Sequence, residues 1–259
     1  MGDLLRVLTY NVRGLRDDTS ALVRVIRATD PDVVCLQEAP RMLRWRPRIA
    51  ALARACALSY VAGGGSTGGT ALLAHLRVGV EQVHEHRLTK TRGLHQRGLA
   101  VARLSVDMDR DTDVDVDVDV ASIHLGLDAA ERVRHADEAL VLLSGRTSRV
   151  PLVLAGDLNE APGGPAWARL AASGLTDVCD RGGSGADVTF STRNPRRRID
   201  AVLIAGGLGV VQAGVPTDLI DPADLVAASD HRPVLAVLRP DRTPADPSEP
   251  ETARRWSSA

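Results

Sequence analysis

Two short, almost wholly apolar runs constrain the fold of this chain more than any other feature. Residues 32–36 read Asp-Val-Val-Cys-Leu, and residues 151–155 read Pro-Leu-Val-Leu-Ala. A strand with one face in water alternates apolar and polar side chains, and these runs do not, so we expect each to be a strand covered on both faces. Residues 17–30 and 129–143 have the periodicity of helices that could provide such cover.

Other segments show weaker periodicity of apolar residues. Residues 70–76, 78–88 and 98–106 follow one another without a helical segment, which is typical of antiparallel pairing. The glycine-rich residues 63–69 lack the Gly-Lys-Ser/Thr ending of a Walker motif, so we interpret them as a flexible hairpin connection and not as a phosphate cradle. The full prediction comprises strands at residues 4–12, 32–36, 58–62, 70–76, 78–88, 98–106, 151–155, 196–204 and 233–238, helices at 17–30, 45–57 and 129–143 with Asp128 as the cap of the last, and a turn at 191–195.

Residues 107–120 contain a repeat of Asp and Val. A period of two places the valines on one face of a strand and the carboxylates on the other. A calcium site is one interpretation, but calcium-binding loops and repeats use glycine to turn the chain, and none occurs here. We therefore expect an extended, solvated strand or hairpin that leads into the strand carrying His124.

Length and composition favour one domain. A chain of 259 residues with 44% hydrophobic content can bury a sizeable core. We expect a single domain over residues 1–239 and a disordered polar tail over residues 240–259. Neither a long apolar run nor a secretion signal is visible, so a monomeric, cytoplasmic protein without integral membrane association is expected.

Charge and cysteine content argue against several kinds of site. The net charge of -1 gives no overall field for a polyanion, so a phosphate-bearing substrate must be attracted by local charge or by a metal. Aromatic residues make up 2% of the chain, which leaves few platforms for base stacking. The three cysteines, Cys35, Cys56 and Cys179, are too far apart for a zinc site and too few for a disulfide framework, so buried reduced thiols are expected.

Polar clusters follow the strand-like runs, and their repetition is the main functional signal. Open α/β architectures place their ligands at strand ends, so the clusters are expected to meet. An Asp-His pair alone could equally be a turn acceptor and a surface imidazole, and its significance depends on the other clusters. The clusters are Tyr10-Asn11, Gln37-Glu38, Gly156-Asp157-Leu158-Asn159, Arg198-Ile199-Asp200 and Asp230-His231.

The residue types in these clusters suit a hard cation. Carboxylates are costly to desolvate unless they are paired or bind a metal, and amide oxygens complete the shell of such an ion. Mg²⁺ fits this set, with Mn²⁺ as an alternative, whereas zinc is disfavoured because no cysteine and only two histidines take part. The carboxylates are Glu38, Asp157, Asp200 and Asp230, and the amides are Asn11 and Asn159.

In this order the clusters resemble the motifs of the endonuclease/exonuclease/phosphatase superfamily, deoxyribonuclease I-like proteins that also include abasic-site endonucleases, neutral sphingomyelinases and inositol-polyphosphate phosphatases. The resemblance covers residues 4–239 and implies an α/β (α+β) fold, a four-layer α/β/β/α sandwich with two mixed β-sheets packed face to face and helices outside. The matching segments are Leu8-Thr9-Tyr10-Asn11-Val12, Leu36-Gln37-Glu38, Gly156-Asp157-Leu158-Asn159, Arg198-Ile199-Asp200 and Ser229-Asp230-His231-Arg232-Pro233.

The resemblance also implies roles for individual residues. Glu38 resembles the main magnesium ligand, with Asn11 and Asp230 nearby. Asp157 would position or deprotonate the attacking water, and Asn159 would donate a hydrogen bond to a phosphate oxygen. His231 resembles the phosphate-contacting or general-base histidine, Asp200 the carboxylate that orients its ring, and His124 a second histidine found in the deoxyribonuclease and sphingomyelinase branches.

Arg97 stands where many members of the superfamily carry a phosphate-binding or structural arginine, although a solvated charge at a strand end is an open alternative. No motif covers His84, His86 or His95, and we interpret them as surface histidines. Two arginine clusters could follow a phosphate backbone or could simply be solvated charge. They are Arg41, Arg44, Arg46 and Arg48, and Arg193, Arg196, Arg197 and Arg198.

The sequence thus predicts a metal-dependent hydrolase in which water attacks a phosphodiester in line, with a DNA endonuclease as one form. The alternative is a small-molecule or lipid head-group phosphatase or phosphodiesterase, of inositol-phosphate or sphingomyelinase type. A remote alternative is a catalytically silent binding module on the same fold. The partner is expected to be a nucleic acid or a small phosphorylated molecule.

Overall fold

The computed structural model describes residues 4–106, 115–144, 150–182 and 188–240. Within them, two mixed six-stranded sheets pack face to face. The first sheet has the order β11-β12-β1-β2-β4-β3. Its strands are β1 (Leu5–Asn11), β2 (Val33–Gln37), β3 (Ser59–Gly63), β4 (Ala71–Ala74), β11 (Leu208–Gly214) and β12 (Val234–Pro240).

The second sheet has the order β5-β6-β7-β8-β10-β9. Each sheet contains a central parallel pair, β1 with β2 and β7 with β8, and its other pairs are antiparallel. The strands of the second sheet are β5 (Gly79–Arg87), β6 (Gly98–Val106), β7 (Val116–His124), β8 (Leu152–Asp157), β9 (Thr176–Asp177) and β10 (Asp200–Ala205).

Helices cover the outer face of each sheet. Three pack on the first sheet: α1 (Thr19–Ala28), α2 (Trp45–Ala55) and α6 (Pro222–Ala228). Two pack on the second: α3 (Ala129–Leu143) and α4 (Pro165–Ala172). The short α5 (Val178–Gly182) packs against β10 and β11. The four-layer sandwich expected from the resemblance is confirmed.

The apolar run of β2 shows why the layers form. Val33 and Cys35 point into the core between the sheets, whereas Val34 and Leu36 point into the core under the helices. All four side chains are buried, as expected for a strand covered on both faces. β8 divides in the same way, with Val153 and Ala155 between the sheets and Leu152 and Leu154 facing α3 and α4.

The structure corrects several boundaries. The strands predicted at 70–76 and 78–88 do not pair, because a tight turn in which the Val78 amide donates to the His75 carbonyl moves the chain to the other sheet. The strand predicted at 196–204 begins only at Asp200, since Arg197 instead bridges to Phe190. β9, β11, α4, α5 and α6 are short or weakly periodic, and the sequence pattern did not predict them.

The glycine-rich segment is the hairpin connection between the antiparallel strands β3 and β4, as expected, but it is ordered by specific contacts. It is held by hydrogen bonds from Gly69 to Gly64 and from Ala39 to Gly69, each 2.8 Å long. A Cβ on Gly64 would lie 2.5 Å from the Trp45 ring, so the segment packs too closely for any larger residue. This contact fixes the loop beside the chain that follows β2.

Part of the Asp-Val repeat and the chain beyond residue 240 lie outside the described residues. Where the repeat enters β7, Asp117 is exposed but Asp119 is buried and accepts two hydrogen bonds from Arg103, so the expected solvated strand is corrected at that position. Cys35, Cys56 and Cys179 form no disulfide bond in the described part of the chain, and the first two are buried. In the described ranges, no helix has the length and apolar content needed to span a membrane.

Candidate active site

Neighbouring strand ends of both sheets bring the predicted residues together. The first sheet contributes Asn11 at the end of β1, Glu38 just after β2, and the Asp230-His231 segment shortly before β12. In the second sheet His124 ends β7, Asp157 ends β8 and Asp200 begins β10, and both His124 and Asp200 pair in register with Asp157. The site therefore lies at one edge of the inter-sheet interface.

Asp157 is the centre of the hydrogen-bond network. Its Oδ2 accepts from Asn11 Nδ2 at 2.9 Å, a bond that crosses between the sheets, and its Oδ1 accepts from the Asn159 amide at 2.9 Å. Oδ2 also lies 3.4 Å from His124 Nε2 and 3.8 Å from His231 Nε2. Burial, followed by the charge of Asp200, raises the pKa of Asp157 to about 7, which makes it a stronger base than an exposed carboxylate.

The surroundings of His231 favour its charged form, whereas those of Asp157 disfavour the charged form of the carboxylate. Its Nδ1 lies 3.0 Å and 3.1 Å from the two oxygens of Asp200. Burial lowers the pKa of His231, but the charge and hydrogen bond of Asp200 and the charge of Asp157 outweigh it and raise that pKa to about 9. At neutral pH the ring is therefore a cation held between carboxylates, so it can donate a proton or a hydrogen bond from Nε2.

Local structure fixes the orientation of Asp200 and His231. Thr189 Oγ1 accepts from the amides of Ile199 and Asp200 at 3.1 Å and 3.2 Å, which anchors the start of β10. The Phe190 ring packs against the His231 ring with centroids 4.8 Å apart. Neither Thr189 nor Phe190 lies in a motif, so no signal in the sequence pointed to them.

His124 contacts a cation. Arg97 Nη1 lies 2.8 Å from His124 Nδ1, and Asn159 Nδ2 lies 3.1 Å from Nε2. Burial, followed by the charge of Arg97, lowers the pKa of His124 well below its usual value. Arg97 is only 7% exposed, which excludes the alternative of a solvated strand-end charge.

The predicted metal ligands come from three adjacent strands, in the order β12-β1-β2. The exposed Glu38 carboxylate has, within the described ranges, no hydrogen bond or ion pair, so both of its oxygens are available. Ser229 Oγ donates to the Asn11 carbonyl at 2.7 Å and ties the Asp230 segment to β1. Two carboxylates and an amide oxygen at or near the ends of three neighbouring strands fit the oxygen preference of Mg²⁺ or Mn²⁺.

A second group of possible ligands lies in the described part of the chain. Asp157, Asp200 and His231 are all buried, and their potential ligand atoms lie within 4.8 Å of one another. The Asp200 oxygens already bind His231 Nδ1, and Asp157 accepts bonds from Asn11 and Asn159. We therefore interpret this cluster as a hydrogen-bonded catalytic group and not as the primary cation site.

Three site residues have left-handed backbone conformations: Arg13 (φ 45°), Glu38 (φ 51°) and Asn159 (φ 51°). Such a conformation costs a non-glycine residue about 1–2 kcal/mol. Backbone strain of this kind concentrates at functional sites, and here it turns the chain sharply after β2 and β8.

Some residues at the mouth of the site were not predicted. Arg13 Nε lies 3.3 Å from Asp230 Oδ2, and a cleft of about 370 Å³ opens beside them, also lined by Thr192 and Arg193. After Glu38, the side chains of Met42 and Leu43 are 77% and 90% exposed. Sequence alone did not reveal their exposure because apolar residues are normally buried.

The remaining predictions concern the surface. His84 and His86 lie on β5 with stacked rings, away from the candidate site. His95 is exposed, as expected, but it contacts Arg41 at 3.3 Å and lies near enough to His124 to affect its pKa. Arg198 forms an ion pair with Asp177, which favours a structural role for this arginine. The other arginines of the two clusters are exposed.

Comparison with known proteins settles the family. The profile described as Endonuclease/Exonuclease/phosphatase family matches residues 8–231. The chain belongs to this family. Its members are phosphoester hydrolases, nucleases and phosphatases among them, and generally depend on divalent metals. A search of the curated proteins finds no match.

Solved structures of the family share the fold of this chain. An endonuclease/exonuclease/phosphatase from Bacteroides vulgatus superposes with a TM-score of 0.75 at 17% identity, covering 92% of this chain and 99% of that one. A mannosyl-6-phosphatase from Bacteroides thetaiotaomicron gives 0.72 at 19% identity, covering 90% and 99%. TDP2 from D. rerio, complexed with a single-strand DNA product, gives 0.65 at 18% identity, covering 91% and 99%.

Proposed function

We propose that this family member hydrolyses phosphoesters by in-line attack of water, with a divalent cation held by Glu38, Asn11 and Asp230. The observation that carries the proposal is the surroundings of Asp157. A buried carboxylate with a raised pKa lies between a cationic histidine and a neutral one, and the Asn11 side chain and the Asn159 backbone amide each donate a hydrogen bond to it. This arrangement suits a general base beside a phosphoryl group.

Each residue has a role in this reaction. Asp157 orients the attacking water and accepts its proton, because a pKa near 7 matches proton transfer at neutral pH. His231 stabilises negative charge on a phosphoryl oxygen, and Asp200 keeps its ring charged and oriented. Arg97, His124 and Asn159 provide further phosphate-binding donors. A bound Mg²⁺ or Mn²⁺ would supply positive charge beside the phosphoryl oxygens.

Two substrate classes are each supported by an observation. The exposed arginines at positions 41, 44, 46 and 48 follow Glu38 closely, and Arg13 and Arg193 line the cleft at the site, which favours a phosphodiester in a nucleic acid. Within the described ranges no Trp, Tyr or Phe side chain is exposed, so a surface for base stacking is missing there. That second observation favours a small phosphoester as the alternative.

A substrate panel tests the proposal and separates the two classes. It consists of supercoiled plasmid, abasic duplex, single strands, inositol phosphates, sugar phosphates, sphingomyelin and a nitrophenyl diester, each assayed with Mg²⁺, Mn²⁺ or EDTA. We expect chelator-sensitive hydrolysis of at least one substrate, and nicking of plasmid would select the nuclease. Metal binding without turnover of any substrate would instead favour the silent binding module.

Substitutions test the residue roles. Asp157→Ala, Glu38→Ala and His231→Ala should each lower turnover by about two to three orders of magnitude, as removal of one stabilising group does in other enzymes. The matched control is Asp218→Asn, which removes an exposed carboxylate in the loop before α6 and should leave turnover unchanged. Near-normal turnover in the alanine variants, with the fold intact by circular dichroism, would contradict the proposed roles.

A further inference from the structure

The contact between Arg97 and His124 determines which nitrogen of the ring carries the proton. A guanidinium has only donor hydrogens and remains protonated in proteins, so it can approach His124 Nδ1 at 2.8 Å only if that nitrogen is an acceptor. A neutral imidazole with an unprotonated Nδ1 has its single hydrogen on Nε2. The opposite holds for His231, whose Nδ1 faces a carboxylate and must donate.

The Asn159 amide is fixed independently. Its Nδ2 donates to the Leu125 carbonyl at 3.0 Å, and since a carbonyl only accepts, the amide cannot be turned over without losing this bond. Nδ2 therefore faces His124 Nε2 at 3.1 Å with its second hydrogen. Two donors cannot bond to each other, and the distance of 3.4 Å from Nε2 to the acceptor Asp157 Oδ2 is longer than an ordinary hydrogen bond.

We propose that Arg97 is a positioning residue that holds His124 as the neutral, Nε2-protonated tautomer, so that His124 and Asn159 present two converging donors to one oxygen of a phosphoryl group. This rests on the proposed function and deepens it, because it separates the two histidines. His231 exchanges a proton or carries charge, whereas His124 only donates a hydrogen bond and takes no part in proton transfer.

The surroundings of His124 agree with a neutral ring. The charged and titratable groups that face it are Arg97, Asp157, Arg41, His95 and His231. Burial, Arg97 and His231 all disfavour a second proton on His124 and lower its pKa, so a neutral donor is the form at neutral pH. A neutral donor can also keep its hydrogen bond while negative charge develops on a phosphoryl oxygen, without transferring its proton to that oxygen.

Nitrogen NMR of labelled histidine tests the tautomer directly, with or without catalytic turnover. His124→Gln identifies the His124 signals. In the wild type we expect Nε2 protonated, Nδ1 unprotonated and both signals unchanged between about pH 5 and 8, where an ordinary histidine titrates. Arg97→Met should give mixed tautomers or a titrating ring, and Arg97→Lys, which retains a cationic donor, should keep the wild-type tautomer. A wild-type His124 protonated at Nδ1, or one titrating near its ordinary pKa, would overturn the proposal.

Kinetics separate a donor from a proton-transfer group. The Gln side chain can place an N–H near the position of Nε2, so His124→Gln should retain turnover within about tenfold, while His124→Ala should lose about two to three orders of magnitude. If His124 exchanged protons, Gln would lose as much as Ala, about 10²–10⁴-fold, and the proposal would be wrong. Inorganic phosphate should perturb the Nε2 signal in the wild type. If no substrate in the panel is hydrolysed, the proposed function is contradicted but the proposed tautomer is not, because NMR determines the tautomer without turnover.

Discussion

At the scale of single residues, burial changes what a functional group can do. Asp157 and His231 have ordinary side chains, yet the site raises the pKa of the carboxyl to about 7 and that of the imidazole to about 9. Motif position alone predicted that these residues would meet, but not their protonation states. Those depend on which neighbours face each atom, and Asp200 lies 31 positions from His231 in the chain.

Removal of the Asp200 charge should change the pH dependence of catalysis. The raised pKa means that His231 is protonated at neutral pH and loses its proton only as pH rises through about 9. We expect kcat/KM of the wild type to fall on that alkaline side. In Asp200→Asn the largest contribution that raises the pKa of His231 is lost while burial still lowers it, so the fall should begin at a lower pH than in the wild type. A pH–rate profile with an unchanged alkaline limb would show that His231 does not act as a cation.

At the scale of elements, helix and strand ends decide how accurately the site is built. The ends that carry strong signals were predicted closely, and α3 has the predicted bounds with Asp128 as its cap, accepting from the Glu131 amide. The ends of short elements were not, because four to eight residues contain too little periodicity to separate helix from loop. The positions of α4 and α6 depend on tertiary packing against the sheets.

The end of α2 offers a stability test away from the site. Ala57 has φ 61°, and the bonds from Ala57 to Arg54 and from Leu58 to Ala53 form a Schellman motif, in which glycine is the preferred residue. Ala57→Gly should therefore stabilise the protein by about 1 kcal/mol and raise Tm by about 2–4 °C without changing activity. Thermal unfolding measures the shift, and a lower Tm would show that the left-handed position is not strained.

Gly156 offers a test within the site. A Cβ at this position would lie 1.9 Å from the Ile123 carbonyl oxygen, so β8 must move away from β7 to accept any side chain. Gly156→Ala should cost about 1–3 kcal/mol and lower kcat by displacing the adjacent Asp157. Gly79→Ala is the control, because its nearest contact is the Ser105 side chain at 3.2 Å. Urea unfolding and kinetics of both variants make the comparison, and equal effects would exclude the close approach as the cause.

At the scale of the whole molecule, the two sheets meet through a polar seam that the sequence did not predict. Gln37 Nε2 donates to Ser122 Oγ at 3.2 Å, and Ser122 Oγ donates to the Leu36 carbonyl at 3.0 Å. These bonds lie one residue from Glu38 and two from His124, and they join the part of the site that we propose binds the metal to the part that we propose binds the phosphate. Fold class and order of motifs could be predicted because they depend on local patterns. The relative placement of the sheets depends on contacts between distant segments.

Metal binding should stabilise the whole molecule. A cation that binds only the folded state at a concentration of 100 times its Kd adds about 2.7 kcal/mol to the free energy of unfolding. We expect Mg²⁺ or Mn²⁺ to raise the Tm of the wild type, and EDTA to reverse the change. In Glu38→Gln the shift should be smaller or lost. An equal shift in that variant would place the cation elsewhere, the buried Asp157, Asp200 and His231 cluster being the next candidate.

The order of strands in the first sheet has a consequence for the timing of activity. β12, the last strand of the described chain, lies between β11 and β1 and follows directly on Asp230 and His231. A ribosome-bound chain that has not yet released this strand lacks an inner strand of one sheet as well as two residues of the proposed chemistry. Chains that stop before β12 would therefore be inert toward phosphoesters, and the appearance of activity would report that β12 has been synthesised and has joined its sheet.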